Sequence, residues 1–214
     1  GKDGYQIDLP DRLWEDFGAA LRKIHTLYFP ASTLRRIRRE DFSPRWRESV
    51  KRFQTLVAET SFEDPIAAKS ARFMRSKQSE IDHMLERADS LGRALAARSL
   101  EFVVCHGDIH PGNLLIVEND AGDPGEFYIV DWDEPVLAPK EHDLTLIGGC
   151  STWSDAEKAA RFYHGYGPAK VDSMALAYYR YERIIMDIAV ECEEVLLAVS
   201  GEEDREQAYQ YFIS

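Results

Sequence analysis

The side chains able to do chemistry concentrate in two short stretches, Cys105-His106-Gly107-Asp108-Ile109-His110-Pro111-Gly112-Asn113 and Asp131-Trp132-Asp133. Each follows a β-like run, Phe102–Cys105 and Phe127–Val130, and a third run, Leu114–Val117, lies between them. The last two runs flank a segment rich in turn formers and read as a hairpin. A hairpin returns the chain on itself. Asp131 should therefore emerge beside the loop that carries Asp108 and Asn113, although 23 residues separate the two aspartates. Two carboxylates and an amide oxygen are hard ligands of the kind that hold Mg²⁺, which keeps few protein ligands and fills its shell with water and phosphate oxygens. A third group, not bound to metal, is then free to act as a base.

The elements that must position these residues are mostly helices. Trp14, Phe17, Leu21, Ile24 and Tyr28 recur at three- and four-residue steps after Asp11, a candidate N-cap, and Pro30 ends the stripe. A second helix spans about Pro44 to Glu59. Asp64-Pro65 opens a long helical region reaching about Arg98, with Gly92 as a weak point. Past Pro139 the pattern predicts helix around His142–Ile147, then about Asp155–Tyr166, about Asp172–Val199 and 202–212. Residues 1–10 read as a connector, and the basic cluster Arg35, Arg36, Arg38 and Arg39 as a solvated loop or helix end. The order, helices then a small β element then helices, gives a mainly α unit with a small β-hairpin.

Composition narrows the function classes. Hydrophobic residues make up 44% and charged residues 30%, and ten Phe, ten Tyr and four Trp can build a core. The balance of 26 basic against 38 acidic residues, a net charge of −12, argues against nucleic acid as a partner. No apolar run approaches the roughly 18 residues that span a bilayer. Cysteines 105, 150 and 192 are odd in number and widely spaced, which suggests neither a disulfide framework nor zinc and fits a reducing cytoplasm. Cys105 reads as a buried strand residue. Asp187, Glu191 and Glu194 form an acidic stripe on the long helix, suited either to solvent or to an ammonium group, and Tyr178, Tyr179 and Tyr181 read as core.

His106, Asp108 and Asn113 fit the kinase catalytic-loop spacing H-x-D-x-x-x-x-N, with Asp131 in the place of the metal-binding aspartate. Gly107 stands where protein kinases carry arginine. HGDxHxxN, a hydrophobic hairpin and DWD together resemble the aminoglycoside phosphotransferase family of small-molecule kinases. LRKIHTL at 21–27, PKEHDL at 139–144 and the YYRYER helix extend the resemblance, the last towards its spectinomycin phosphotransferase-like branch. The resemblance implies the C-terminal lobe of a protein-kinase-like α+β fold. Residues 1–10 would end the interlobe hinge and 11–214 form the lobe, with catalytic loop 105–113, hairpin 114–130 and metal loop 131–134. The N-terminal nucleotide lobe, with its phosphate-pairing lysine, would be missing from the chain. By this resemblance Asp108 is the base that takes the acceptor hydroxyl's proton, and Asn113 and Asp131 hold Mg²⁺. His110 stands where a donor to the transferred phosphate would sit. His106 and Asp143 support the loop, and Asp133, Asp187 and Glu191 are candidates for contact with substrate. The implied activity is ATP-dependent transfer to a hydroxyl of a small, cationic molecule such as an aminoglycoside or aminocyclitol, in antibiotic resistance or in metabolism. Choline, homoserine and sugar kinases share the core, and a non-catalytic binding module is the rival of another class. A dinuclear phosphoesterase would need further metal ligands, yet no Asn follows Asn119 and the only His past Asp143 is His164.

Overall fold

The computed structural model describes residues 1–119, 122–149, 153–198 and 202–213. Cys150, part of the hairpin turn and the last residue of the expected long helix, Val199, lie outside them. Among the described residues the elements run β1 (Lys2–Asp3), α1 (Asp11–Thr26), α2 (Ala31–Leu34), β2 (Arg38–Arg39), α3 (Arg45–Glu59), α4 (Pro65–Ser76), α5 (Gln78–Ala96), β3 (Val103–Cys105), β4 (Leu114–Glu118), β5 (Pro124–Ile129), β6 (Val136–Ala138), α6 (Ala156–Tyr166), α7 (Ser173–Leu197) and α8 (Glu202–Ile213). Short 3₁₀ turns occupy Pro111–Asn113 and Lys140–His142. The chain divides into two compact units, residues 1–41 with 98–177 and residues 42–97 with 178–214. The fold is mainly helical with small sheets, as the pattern predicts. No helix among the described residues is long and apolar enough to cross a membrane.

In the first unit, α1 buries Leu13, Trp14, Phe17 and Leu21 on one stripe. Asp11 is not its N-cap. Pro10 holds that place in extended conformation, and Asp11 is the first helical residue, where its charge faces the positive helix end. The stripe packs against α6, and two glycines set the approach. A Cβ at Gly18 would lie 2.0 Å from the Phe162 carbonyl oxygen, and one at Gly165 would lie 1.9 Å from that of Glu15. Either side chain would push the helices apart. Phe17 meets the rings of Phe162, Trp153 and Phe127 at 5.1–5.9 Å, in tilted or edge-on contacts.

Among the described residues, six short strands stand where three were expected. β1, read as a connector, pairs antiparallel with β4, which pairs with β5. β2, part of the basic cluster read as loop or helix end, runs parallel to β6, and β6 pairs antiparallel with β3. Arg39 lies 3.8 Å over the Phe102 ring, which gives the cluster a packed member. The helix expected at His142–Ile147 is instead the 3₁₀ turn followed by further turns. Thr145 Oγ1 donates to the carbonyls of Glu141 (3.1 Å) and His142 (2.6 Å), which competes for the oxygens a helix would use.

In the second unit the long helical region breaks at Lys77 into α4 and α5. Gly92 does not mark the break; it lies inside α5, where a Cβ would come within 3.1 Å of the Tyr178 ring. Val50, Val57, Ala71, Met74, Leu85, Ala88, Ile185 and Val195 form the core. Tyr178 and Tyr179 are buried and Tyr181 packs on that core. Asp64 caps α4 by accepting from Ala67 N–H at 2.8 Å, with Pro65 as the first helical residue. Buried Arg47 meets Asp89 at 2.7 Å, Glu182, and the Phe42 carbonyl at 3.1 Å.

Candidate active site

β3 delivers the chain to His106 with Cys105 fully buried, and hydrogen bonds from several of its polar atoms hold the loop that follows. Asp143 Oδ2 accepts from His106 N–H at 2.8 Å and Oδ1 from Gly107 N–H at 3.1 Å. His106 is itself buried. Its Nε2 donates to the Val130 carbonyl at 2.8 Å, so its Nδ1 accepts from Asp108 N–H at 3.3 Å. That ring thereby joins the loop to the end of β5, and the Trp132 ring packs edge-on against it, 4.5 Å between centroids. Gly107 has φ +97°, and a Cβ there would lie 2.3 Å from the Glu134 carbonyl oxygen. The arginine of protein kinases has no room at this position.

The rest of the constellation gathers at the hairpin base. Leu114 pairs with Ile129, and Val130 N–H donates to the Asn113 carbonyl at 3.0 Å, so Asn113 lies across from Val130 and one step from Asp131. Asn113 Nδ2 donates to the Asp108 carbonyl at 2.9 Å. A carbonyl can only accept, so this contact fixes which end of the amide is nitrogen and turns Oδ1 away. Asp131 is exposed at φ +64°, an uncommon backbone for a non-glycine residue and one that clusters at functional sites. His110 Nδ1 accepts from Gly112 N–H at 3.1 Å, and its Nε2 stands 3.3 Å from Asp108 Oδ2. In the neutral ring Nε2 then carries the hydrogen and directs it at Asp108. His110 thus faces the carboxylate of Asp108, and reaching a phosphate would require leaving it. Asp133 is exposed on the segment after Trp132.

Asp143 is buried and ionised. Burial works to raise its carboxyl, but the side chains of His142 and His25 outweigh that and hold it well below the usual carboxylate range. His25 and Tyr166 are site residues that the sequence reading missed. His25 Nε2 meets Asp143 Oδ2 at 2.9 Å and its Nδ1 meets the Tyr166 hydroxyl at 2.7 Å. His25 lies in LRKIHTL, one of the stretches that carry the resemblance, but no role was read for it there, and its partner is 118 residues away. Ligand atoms of His25, Cys105 and Asp143 lie within 4.8 Å of one another. They do not read as an ion site. Both His25 nitrogens and both Asp143 oxygens already have partners, and burial pushes the Cys105 thiol far above its ordinary value. Tyr5 was likewise missed. It stacks over His110 at 6.2 Å, while Gly4 N–H donates to the Pro111 carbonyl at 2.8 Å.

Asp187 and Glu191 belong to the second unit, on α7, and edge a groove of about 400 Å³ floored by Phe73, Ile81, Met84 and Ile188. Arg183 meets Asp187 at 3.1 Å. Burial, with Asp187 and Glu194 nearby, raises the Glu191 carboxyl.

A family model described as the phosphotransferase enzyme family matches residues 1–177. The chain belongs to that family. Among solved structures it is similar to a spectinomycin phosphotransferase in complex with ADP and spectinomycin, with 35% identity over 99% of the chain and a TM-score of 0.88. The AMP complex of spectinomycin phosphotransferase gives 35% and 0.87. A choline kinase from Streptococcus pneumoniae, 18% identical with a TM-score of 0.53 and covered to 66% of its length, shares the fold. The chain spans 64% of the length of the spectinomycin phosphotransferases it matches. A search of curated proteins finds no match.

Proposed function

We propose that the protein transfers the γ-phosphate of ATP to a hydroxyl of a small cationic molecule, of which an aminocyclitol is the favoured class. The observation that carries this reading is the loop in which Asp108 is held between His106 and Asn113, with Asp131 in register beside it. The family and the 35% identical spectinomycin phosphotransferase support the substrate class.

In this scheme Asp108 accepts the hydrogen of the acceptor hydroxyl as its oxygen bonds to the γ-phosphorus and the bond to the β–γ bridging oxygen breaks. Phosphoryl transfer is chiefly positioning and charge stabilisation, so where the carboxylate points matters more than its basicity. His110 Nε2–H stands 3.3 Å from Asp108 Oδ2 and so helps orient the carboxylate that meets the hydroxyl. Asn113 Oδ1 and the exposed Asp131 carboxylate suit Mg²⁺, two hard oxygens with the remaining shell left to water and phosphate. When bound there, the ion supplies neutralisation of phosphate charge. In this scheme the adenine pocket and the phosphate-pairing lysine belong to an N-terminal nucleotide lobe; the chain spans 64% of the length of the spectinomycin phosphotransferase it matches. Within the second unit, Asp187 and Glu191 make the groove on α7 suited to a cationic molecule.

The test is ATP consumption by the full-length protein against a panel of aminocyclitols, choline, homoserine and sugars, with Mg²⁺ varied. Turnover highest with an aminocyclitol and abolished without Mg²⁺ is the expected result. Turnover with choline or a sugar alone would move the acceptor class. No turnover with any acceptor, together with binding of the small molecule, would favour the non-catalytic module.

A further inference from the structure

The groove between α3 and α7, in the second unit, takes no part in the scheme above. It is open to solvent and holds about 390 Å³. Trp46, Phe53 and Leu56 of α3 line it together with Ala189 and Leu197 of α7. Trp46 and Phe53 also pack on the core beneath, which fixes the floor. Leu197 is 52% exposed, and Val190, two turns before it on the same helix, is 49% exposed. A single exposed leucine means little, but a continuous apolar hollow with an aromatic floor marks an interaction surface.

The two walls of the groove carry opposite charge. Of the described lining residues, Arg52 on α3 is the one cation and Glu193 on α7 the one anion, and both are exposed. The α3 wall continues with Arg45, stacked over the Trp46 ring at 4.5 Å. The α7 wall continues with Glu194, which with Asp204 lines the hollow on its other side. Arg52 donates to Ser49 Oγ of its own helix at 2.8 Å. Among the described residues, none of Arg45, Arg52 and Glu193 meets a side chain of opposite charge.

We propose that this groove is a dimer interface, through which two copies of the chain associate face to face about a two-fold axis running along it. The charge pattern selects that arrangement. An axis along the groove lays α3 of one copy over α7 of the other, so Arg52 meets Glu193 of the partner subunit, twice by symmetry. An axis across the groove would lay α3 over α3 and set arginine against arginine. The apolar strips meet either way, and the charges decide between the two. The groove does not suit the cationic acceptor, because its one carboxylate stands opposite a guanidinium.

Sedimentation equilibrium of the full-length protein, from micromolar to near-millimolar concentration, reads the association without any need of turnover. Wild type should pass from monomer to dimer over that range, less readily as salt is raised. Arg52→Glu and Glu193→Arg each set like charges together twice per dimer and should weaken it about tenfold or more. Leu197→Asp should do the same by burying an unpaired charge. The decisive protein carries Arg52→Glu and Glu193→Arg together. The exchanged pair should restore a dimer near wild-type strength, which stacking of α3 on α3 would not. A wild-type protein that stays monomeric throughout would overturn the proposal. So would a dimer indifferent to the single substitutions, or one that the double exchange fails to restore. A monomer whose Arg52→Glu variant loses binding of a small molecule would make the groove a ligand site instead and end the proposal too. Melting curves confirm that each variant is folded; should Leu197→Asp not fold, the two exposed charges carry the test.

Discussion

Two backbone angles bear on the chemistry at the residue scale. A side chain at Gly107 meets both a φ of +97° and the Glu134 carbonyl oxygen at 2.3 Å. The backbone strain alone is worth about 1–3 kcal/mol. Gly107→Ala should therefore lower the melting temperature by several degrees and cut kcat, because Asp108 is the next residue; an unchanged melting curve would contradict this. Asp131 presents the reverse case, a non-glycine residue at φ +64°. Asp131→Gly should be as stable as wild type or more so, and Asp131→Ala no more so, while both lose Mg²⁺-dependent turnover. Calorimetry beside an Mg²⁺ titration of activity reads the two effects apart. Asp108→Ala should lower kcat on the order of a thousandfold with nucleotide affinity nearly intact; near-wild-type turnover would remove the base assignment. Asp108, Asn113 and Asp131 could be singled out from sequence because loop and hairpin are contiguous in the chain. Asp143 behind them could be singled out too, as support for the loop, but its partners His25 and Tyr166 could not, since they come from distant segments.

Helices with a long apolar stripe are legible as elements, and α1, α3 and α6 fall close to where their periodicity puts them. The two- and three-residue strands β1, β2 and β6 are not, because alternation needs several residues to show; they exist only through their partners. The break at Lys77 was equally silent, with helix-compatible residues on both sides. Joins between elements can be tested by paired substitution. Arg205 on α8 meets Asp64 Oδ1 at 2.6 Å and the Val195 carbonyl at 3.0 Å, so one side chain touches the start of α4 and the end region of α7. Asp64→Ala should cost about 1–2 kcal/mol for the lost cap and pairing. Combined with Arg205→Ala the loss should fall short of the sum, by about 0.5 kcal/mol or more. Urea unfolding of the four proteins of that cycle measures it, and strict additivity would mean the contact is idle.

For the whole molecule, acid is the sharpest probe. Asp143 is held well below the usual carboxylate range in the fold, whereas an unfolded aspartate titrates near about 4. Its stabilisation is complete above that unfolded value. It drains away as pH falls below it, because the unfolded chain then binds the proton first. Asp64 and Asp172, lowered by Arg205 and Arg98 respectively, act in the same direction. Asp143→Asn should flatten the loss of urea stability between pH 5 and 3; curves parallel to wild type would exclude the carboxylate as its source. The thiols give a second global test. Burial pushes Cys105 far up and Cys192 to about 12, so both should resist a thiol reagent until the protein unfolds, as peptide mapping after labelling would show. The crossing of α1 and α6 has a consequence for evolution and engineering. Replacing a mid-helix glycine by alanine ordinarily gains about 0.5–1 kcal/mol. With backbone atoms 2.0 Å and 1.9 Å from the would-be Cβ atoms, the same change at 18 or 165 reverses sign. The two positions are thus mutually locked. Neither can drift alone, a stabilising library that swaps glycine for alanine must omit both, and α1 can be exchanged only with a relative's segment that keeps the same spacing between glycine and histidine.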